Sequence, residues 1–439
     1  MTGYLNKLGH ISDFVSRVVV LGCGWSGLVA SIRIKESYPL SEVICIDKDF
    51  RGGLLRSEII NGYLFDVGGT HVVFSKRQDV INGILNMGGE WVARERRAFI
   101  LLDGIFIPYP FENGIYILPP EKRAKYGKSI ISALVNYRDE RPRNFREWIL
   151  NTFGREVAED YMIPYNEKIW KRPLDKISAD WVYIPGRLPI PSIGDIIDAV
   201  AGIPTIGYRE NALFYYPRRG GIFKQWEAAY RRAEALGVVF LKDTVREVRR
   251  VSDYYVVNSR VRADKVINTL PLKEVPLIFN LPDDAFKAAD RLDYNSVVVV
   301  GLGLKRPAPN QHWIYVPDKH FIFHRYAWIS NYGEDTPKDK SSLVAEVTFP
   351  ANSIPDLDHV KYDVVDGLTR LGILNDYELE VVEAWYHRYG YPIYTLTHSQ
   401  DTSIIKNALS EIGVITLGRW GEWQYWNTDK IYERINELS

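Results

Sequence analysis

Val18-Val19-Val20-Leu21-Gly22-Cys23-Gly24-Trp25-Ser26-Gly27 decides how this chain begins to fold. An apolar, β-branched run breaks into Gly-x-Gly-x-x-Gly, which reads as a strand entering a tight turn. Leu28 to Glu36 is compatible with a helix, and Val43-Ile44-Cys45-Ile46 is a second buried strand ending at Asp47. Strand, glycine turn, helix, strand and acid is the layout of a dinucleotide site. Gly22 permits the turn, Gly24 lets backbone approach a pyrophosphate, and Gly27 lets helix and strand pack closely. The helix start offers free N–H groups to phosphates. Asp47, twenty residues after Gly27, is placed to accept hydrogen bonds from an adenosine ribose.

Working outward, Asp49-Phe50-Arg51-Gly52-Gly53-Leu54-Leu55-Arg56-Ser57 follows the second strand. Gly53 would let the chain pass close to a cofactor, and Arg51 or Arg56 would reach its phosphates; the alternative is an ordinary turn with solvated arginines. Next, Asp66-Val67-Gly68-Gly69-Thr70-His71-Val72-Val73-Phe74 sets paired glycines beside a histidine, a loop suited to lying against a flat group. Residues 15–103 form the nucleotide-binding unit.

Residues 120–205 read as helical, clearest over Lys122–Tyr137 and Phe145–Tyr161, with prolines breaking the remainder. Strands return at Val238–Leu241, Val245–Val251, Tyr254–Val257 and Val266–Leu270, read as a sheet rejoining the first domain. Val297–Leu304, Trp313–Val316, Phe321–His324, Leu343–Val347 and Glu380–Trp385 suggest a second, antiparallel sheet. The chain ends with a strand, the turn Gly418-Arg419-Trp420-Gly421 and a helix from Asp429 to Leu438. The expected fold class is α/β. A Rossmann-like FAD-binding domain spans 1–103, with 206–270 and 405–439 returning to it. A helical insert spans 120–205, and an antiparallel sheet substrate domain is built from 104–119 and 271–404.

Composition narrows the function. With 439 residues the chain is long enough for two or three domains. Lys+Arg and Asp+Glu balance at 55 each, which argues against a nucleic-acid surface. Cys23 and Cys45 read as small buried residues rather than a disulfide or metal pair. No apolar run reaches membrane-spanning length and no signal peptide is evident, so a soluble, cytoplasmic protein is expected. One acid and one glycine turn do not separate NAD from FAD. Long interleaved segments favour a large, permanently held cofactor, which points to FAD.

The glycine fingerprint, the Arg51–Ser57 turn and the terminal glycine turn resemble the FAD-dependent amine oxidase and desaturase superfamily. A more specific resemblance, to the UDP-galactopyranose mutases of eukaryotic type, runs through nearly the whole chain. It is carried by Asp66–Ser75, Ile107-Pro108-Tyr109-Pro110-Phe111-Glu112-Asn113 and Pro164-Tyr165-Asn166-Glu167-Lys168-Ile169-Trp170. Further along, it rests on Tyr216–Gly221, Trp313–Pro317, Ser330-Asn331-Tyr332, Tyr386–Pro392 and Gly418–Tyr425.

That resemblance implies an isomerase needing reduced FAD, in which flavin N5 attacks the anomeric carbon of UDP-galactopyranose and the sugar recloses as the furanose. It implies a UDP-linked nucleotide-sugar substrate and an external reductant such as NAD(P)H. Residue by residue, it puts Arg187 and Arg325 on the diphosphate, where fixed bidentate cations suit a leaving pyrophosphate, and His71 against the flavin. Gly68, Gly69 and Arg419 join the cofactor set. Tyr315, Tyr332, Tyr391 and Tyr425 become phosphate or sugar contacts, with Trp313 beside them. Tyr109, Phe111, Glu112, Tyr161, Asn166 and Trp170 become the nucleobase pocket.

Three departures stand out. Glu112 replaces a family glutamine, and an ionised carboxylate only accepts, so it suits uracil's N–H but not its carbonyls. Thr70 is inserted between Gly69 and His71. Extra residues, including Pro185, precede Arg187. A flavin oxidase or desaturase of the amine oxidase or protoporphyrinogen oxidase kind, or a mutase acting on another nucleotide sugar, are the alternative readings.

Overall fold

The computed structural model describes residues 16–136, 141–183, 188, 191–205 and 212–437. Strand β1 (Arg17–Leu21), helix α1 (Trp25–Ser37) and strand β2 (Glu42–Asp47) form the expected opening unit. β1 is the central strand of a five-stranded sheet. It pairs in parallel with β2 on one side and with Lys265–Asn268 on the other. Val239–Lys242 and Ile415–Thr416 complete the two edges, also in parallel. Val18 to Leu21 are essentially unexposed, as a parallel strand covered on both faces requires. Three distant stretches of chain therefore build one parallel sheet.

A seven-stranded sheet forms the second layer. Asp293–Leu304 lies next to one edge, between the edge strand Leu379–Ile393 and Ser341–Pro350, both antiparallel to it, and Arg325–Trp328 is the middle strand. The sheet is not antiparallel throughout, because Trp313–Tyr315 pairs in parallel with Ala98–Leu102. That pairing also corrects the domain boundary expected at residue 103. Ala98–Leu102 and Ile105–Pro108 form one hairpin within the second sheet, so residue 103 is a turn and not a junction. Two further readings change. Val248–Val251, Tyr254–Val257 and Val261–Ala263 form their own small antiparallel sheet. Residues 321–324 are not a strand: the Phe321 N–H closes a turn on the Asp318 carbonyl, and the chain regains strand geometry only at Arg325–Trp328.

The helices over Pro120–Val135 and Phe145–Val157 pack against each other beside the seven-stranded sheet. Gly154 breaks the second with φ of 72°, and a π-turn over Ala158–Met162 leads into Ile163–Trp170. An aromatic core around Phe111, Tyr161, Trp170 and Trp181 joins this insert to both sheets.

Cys23 and Cys45 are paired as a disulfide, which corrects the reading of two free thiols. The glycine turn after β1 sets Cys23 beside Cys45 of β2 with Cα atoms 5.9 Å apart, a separation a disulfide spans. Among the described residues no helix is long and apolar enough to cross a membrane.

Candidate active site

Two connected features define the site. The first is the glycine turn after β1. Gly24 caps α1 without a side-chain hydrogen bond, and a Cβ placed there would touch nothing within 4 Å. The space before the helix start is open, as a pyrophosphate cradle requires. By contrast, a Cβ on Gly27 would lie 1.8 Å from the Gly22 carbonyl oxygen. Gly24 thus faces open space and Gly27 faces backbone, which is the division of labour the motif predicts. The Asp47 carboxylate takes the Cys23 N–H at 2.6 Å and the Asp49 N–H at 3.2 Å, so it braces the turn and keeps lone pairs for a hydroxyl. Burial nevertheless raises its pKa above the usual value. Gly53 lies over Gly24, its notional Cβ 4.0 Å from the Gly24 Cα. Arg56, half-buried, is paired with Glu58 and so is not a bare phosphate clamp.

The second feature is a cleft between the two sheets and the helical insert, with a cavity volume of about 230 Å³. Leu54 lies on its wall, next in the chain after Gly53, so cradle and cleft are continuous. Fourteen of the residues named from sequence line it: Gly68, Gly69, His71, Tyr109, Tyr161, Asn166, Trp170, Trp313, Tyr315, Arg325, Tyr332, Tyr391, Arg419 and Tyr425. Phe111 and Glu112 do not; both are buried one layer behind, Phe111 stacked on Tyr161 at 5.0 Å. Glu112 Oε1 finds no partner among the described residues, and burial lifts its pKa to about 7. Arg187 lies outside the described residues.

The centre of the cleft is an ion pair the sequence reading only half contained. Arg325 Nη2 meets Glu346 Oε1 at 2.7 Å. Tyr391 donates its hydroxyl to Glu346 Oε2 at 2.9 Å, while Thr70 gives both its N–H and its hydroxyl to Oε1 at 3.0 Å. Burial pushes the Glu346 carboxyl up, but the Arg325 guanidinium and these donors prevail and hold it at about 2. Arg325 keeps its Nε without a partner among the described residues and its side chain 21% exposed, so donors remain for an anion in the cleft. Glu346 was missed because it sits in an apolar strand, Leu343–Val347; a lone carboxylate at an otherwise buried strand position was the available signal.

Around this pair the polar atoms are partly committed. His71 Nε2 donates to the Gly68 carbonyl at 3.3 Å. Burial, then Arg419, lowers its pKa to about 4, so it is a neutral imidazole at neutral pH. Asn166 Nδ2 donates to the Met162 carbonyl and its Oδ1 accepts from Trp170, leaving one hydrogen and one lone pair for a ligand. Tyr315 accepts from Trp313 Nε1 at 3.0 Å, and the Tyr332 hydroxyl, fully buried, has no partner among the described residues. Arg419 donates to the carbonyls of Trp426 and Gly390 and lies over the Tyr425 ring. Arg96, also absent from the sequence reading, lines the cleft with its guanidinium over Tyr109.

The terminal helix, Thr428–Asn436, opens its N-terminus on the cleft through Asn427 and Thr428. Thr428 Oγ1 is buried without a partner among the described residues. An open glycine cradle, a continuous cleft and an unpaired hydroxyl at a helix start fit an extended dinucleotide whose ring system ends in the cleft.

Residues 194–404 match the family model of flavin containing amine oxidoreductase. The fold is similar to a solved structure of reduced UDP-galactopyranose mutase, with a TM-score of 0.87 and 24% identity, covering 97% of this chain and 95% of that one. A putative protoporphyrinogen oxidase from Exiguobacterium sp. 255-15 follows at a TM-score of 0.71 and 17% identity, with 96% and 99% covered. A putrescine oxidase variant matches at 0.65 and 16%, with 97% and 99% covered. An uncharacterized protein in the nifH2 3' region of Methanothermococcus thermolithotrophicus is 33% identical over 81 residues, 18% of this chain and 76% of that relative. The fold expected from the sequence stands: it is similar to that of UDP-galactopyranose mutase, and the flavin containing amine oxidoreductase match implies a flavin cofactor.

Proposed function

We propose that this chain is an FAD-dependent nucleotide-sugar mutase interconverting UDP-galactopyranose and UDP-galactofuranose. The observation that carries the reading is Arg325, held by Glu346 at the floor of a tyrosine-lined cleft with guanidinium donors to spare. Reduced FAD supplies the nucleophile at the anomeric carbon. Gly22, Gly24 and Gly27 take its pyrophosphate, Asp47 its ribose, Gly53, Gly68 and Gly69 allow close backbone passage, and Arg56 flanks the cradle.

The protein's own part is to bind the leaving diphosphate and keep it near. Arg325 supplies the fixed charge, with Arg187 as its assigned second cation; Tyr315, Tyr332 and Tyr425 supply hydroxyl donors, and Tyr391, whose hydrogen goes to Glu346, offers the sugar an acceptor oxygen. Confinement makes re-addition of the diphosphate favourable. His71, neutral and bonded to Gly68, gives the flavin face a hydrogen-bonding wall without adding charge. Tyr109, Tyr161, Asn166 and Trp170 take the base, and Trp313 flanks the sugar. Glu112 lies behind the wall, next to Phe111, whose ring stacks on Tyr161.

Anaerobic reduction with dithionite, incubation with UDP-galactopyranose and chromatography test the reading. A furanose product that requires reduced flavin supports it; bound, reducible FAD without conversion rejects UDP-galactopyranose as substrate. The amine oxidoreductase match favours a second reading, an oxidase, which turnover-dependent oxygen uptake would reveal. An external reductant such as NAD(P)H belongs to the first reading and reduces the flavin without being consumed stoichiometrically with product.

A further inference from the structure

We infer that His324 is a specificity-determining residue that bonds a ligand hydroxyl, ribosyl or glycosyl, next to the diphosphate at Arg325. The inference rests on the nucleotide-sugar reading above.

His324 is fixed by its main chain. Its N–H donates to the Glu346 carbonyl at 3.1 Å, and its carbonyl accepts from Val316 N at 2.8 Å. The side chain is 1% exposed yet lies on the cleft wall. Neither Nδ1 nor Nε2 has a hydrogen-bond partner among the described residues. The closest carboxylate oxygen, Glu346 Oε2, is 3.9 Å from Nε2 and already takes Arg325 and Tyr391. Lys168 Nζ, nearby, donates to the carbonyls of Val316 and Asp318 and not to His324. The Tyr165 and Tyr391 rings pack at a steep angle to the imidazole, with centroids 6.5 and 6.2 Å away, and neither gives it a hydrogen-bond partner.

Buried donors and acceptors are almost always paired, and an unpaired one facing a binding cleft is matched by the ligand. Burial holds the His324 pKa at about 3, so the ring is neutral, with one N–H and one bare nitrogen. A neutral ring adds no charge for a phosphate, and a phosphate oxygen can use only the N–H. A hydroxyl satisfies either nitrogen in either tautomer. Arg325, the next residue, already supplies the phosphate's charge.

The test measures Kd on the FAD-bound protein for inorganic pyrophosphate, UDP and UDP-galactopyranose. His324→Phe keeps the ring volume and removes both nitrogens. It should weaken UDP-galactopyranose about five- to tenfold, the worth of one hydrogen bond, and leave pyrophosphate within about twofold. Weakening of UDP as well assigns the ribose hydroxyl; weakening of UDP-galactopyranose alone assigns the sugar. Equal weakening of pyrophosphate, or no change in any of the three, overturns the inference. His324→Asn, whose shorter amide withdraws from the ligand, should give the same pattern and serves if the Phe variant does not fold. Wild-type protein that holds FAD and pyrophosphate but neither nucleotide overturns the nucleotide-sugar reading itself.

Discussion

Arg325 and Glu346 are direct register partners on neighbouring antiparallel strands, and their charged groups meet 2.7 Å apart at the cleft floor. Each needs the other. The carboxylate is 1% exposed and would be strongly penalised without a cation, while the arginine needs a fixed anion to set its orientation. Thr70 reaches the same carboxylate, so the loop bearing His71 and the strand bearing Arg325 share one anchor.

Removing the cation should therefore cost both function and stability. Arg325→Ala should reduce mutase turnover by at least about a hundredfold while FAD remains bound. It should also destabilise the fold by about 3–5 kcal/mol, because Glu346 is left buried and unpaired. Adding Glu346→Gln should return much of the lost melting temperature and none of the activity. Near-normal turnover of Arg325→Ala would remove Arg325 from the mechanism.

Gly24 and Gly27 should separate cofactor binding from folding. Gly24→Ala adds a methyl group into open space at an ordinary φ of −70°, so the apoprotein should fold normally. It should lose FAD affinity, because the methyl occupies the pyrophosphate's approach. Gly27→Ala drives a Cβ into backbone and should impair folding itself. Flavin content against far-UV circular dichroism checks both, and full FAD retention by Gly24→Ala would contradict the cradle.

Glu112 should make the protein less stable as pH rises. Its carboxyl ionises near pH 4.5 unfolded but at about 7 folded. Both states are protonated below pH 4.5, so the penalty is absent there. Between these values the unfolded chain ionises first, stability falls, and above pH 7 the penalty is constant. Glu112→Gln should gain on the order of 2 kcal/mol at pH 8 and little at pH 4. Melting temperatures of the two proteins across that range decide it.

The Cys23–Cys45 disulfide should be present in the native protein. Unfolding in guanidinium without reductant should release no titratable thiol, and reduction should release both. Cys45→Ser should lower stability by about 2–4 kcal/mol through the unfolded chain's added freedom. Two free thiols before reduction would refute the pairing.

Much of this site could be read in advance where the chemistry is local. The glycine turn, the strand before it and Asp47 lie within one short stretch, and their residue types leave few conformations open. The cleft tyrosines, Asn166 and Trp170 were reachable through resemblance, because their motifs are short and ordered along the chain. Other features depended on neighbours that only folding supplies. Phe111 and Glu112 adjoin Tyr109 in sequence, yet the turn into a short helix sends them behind the wall. Ala98–Leu102 left the first domain because its partner strand lies more than two hundred residues away. Glu346, Arg96 and His324 carried no motif at all. Their meaning comes from register and burial: a carboxylate is an anchor only once a strand partner places Arg325 opposite it, and an imidazole is unpaired only once tertiary packing has closed around it. Local sequence determined how the chain turns for a nucleotide, and long-range strand pairing decided which charges meet in the cleft.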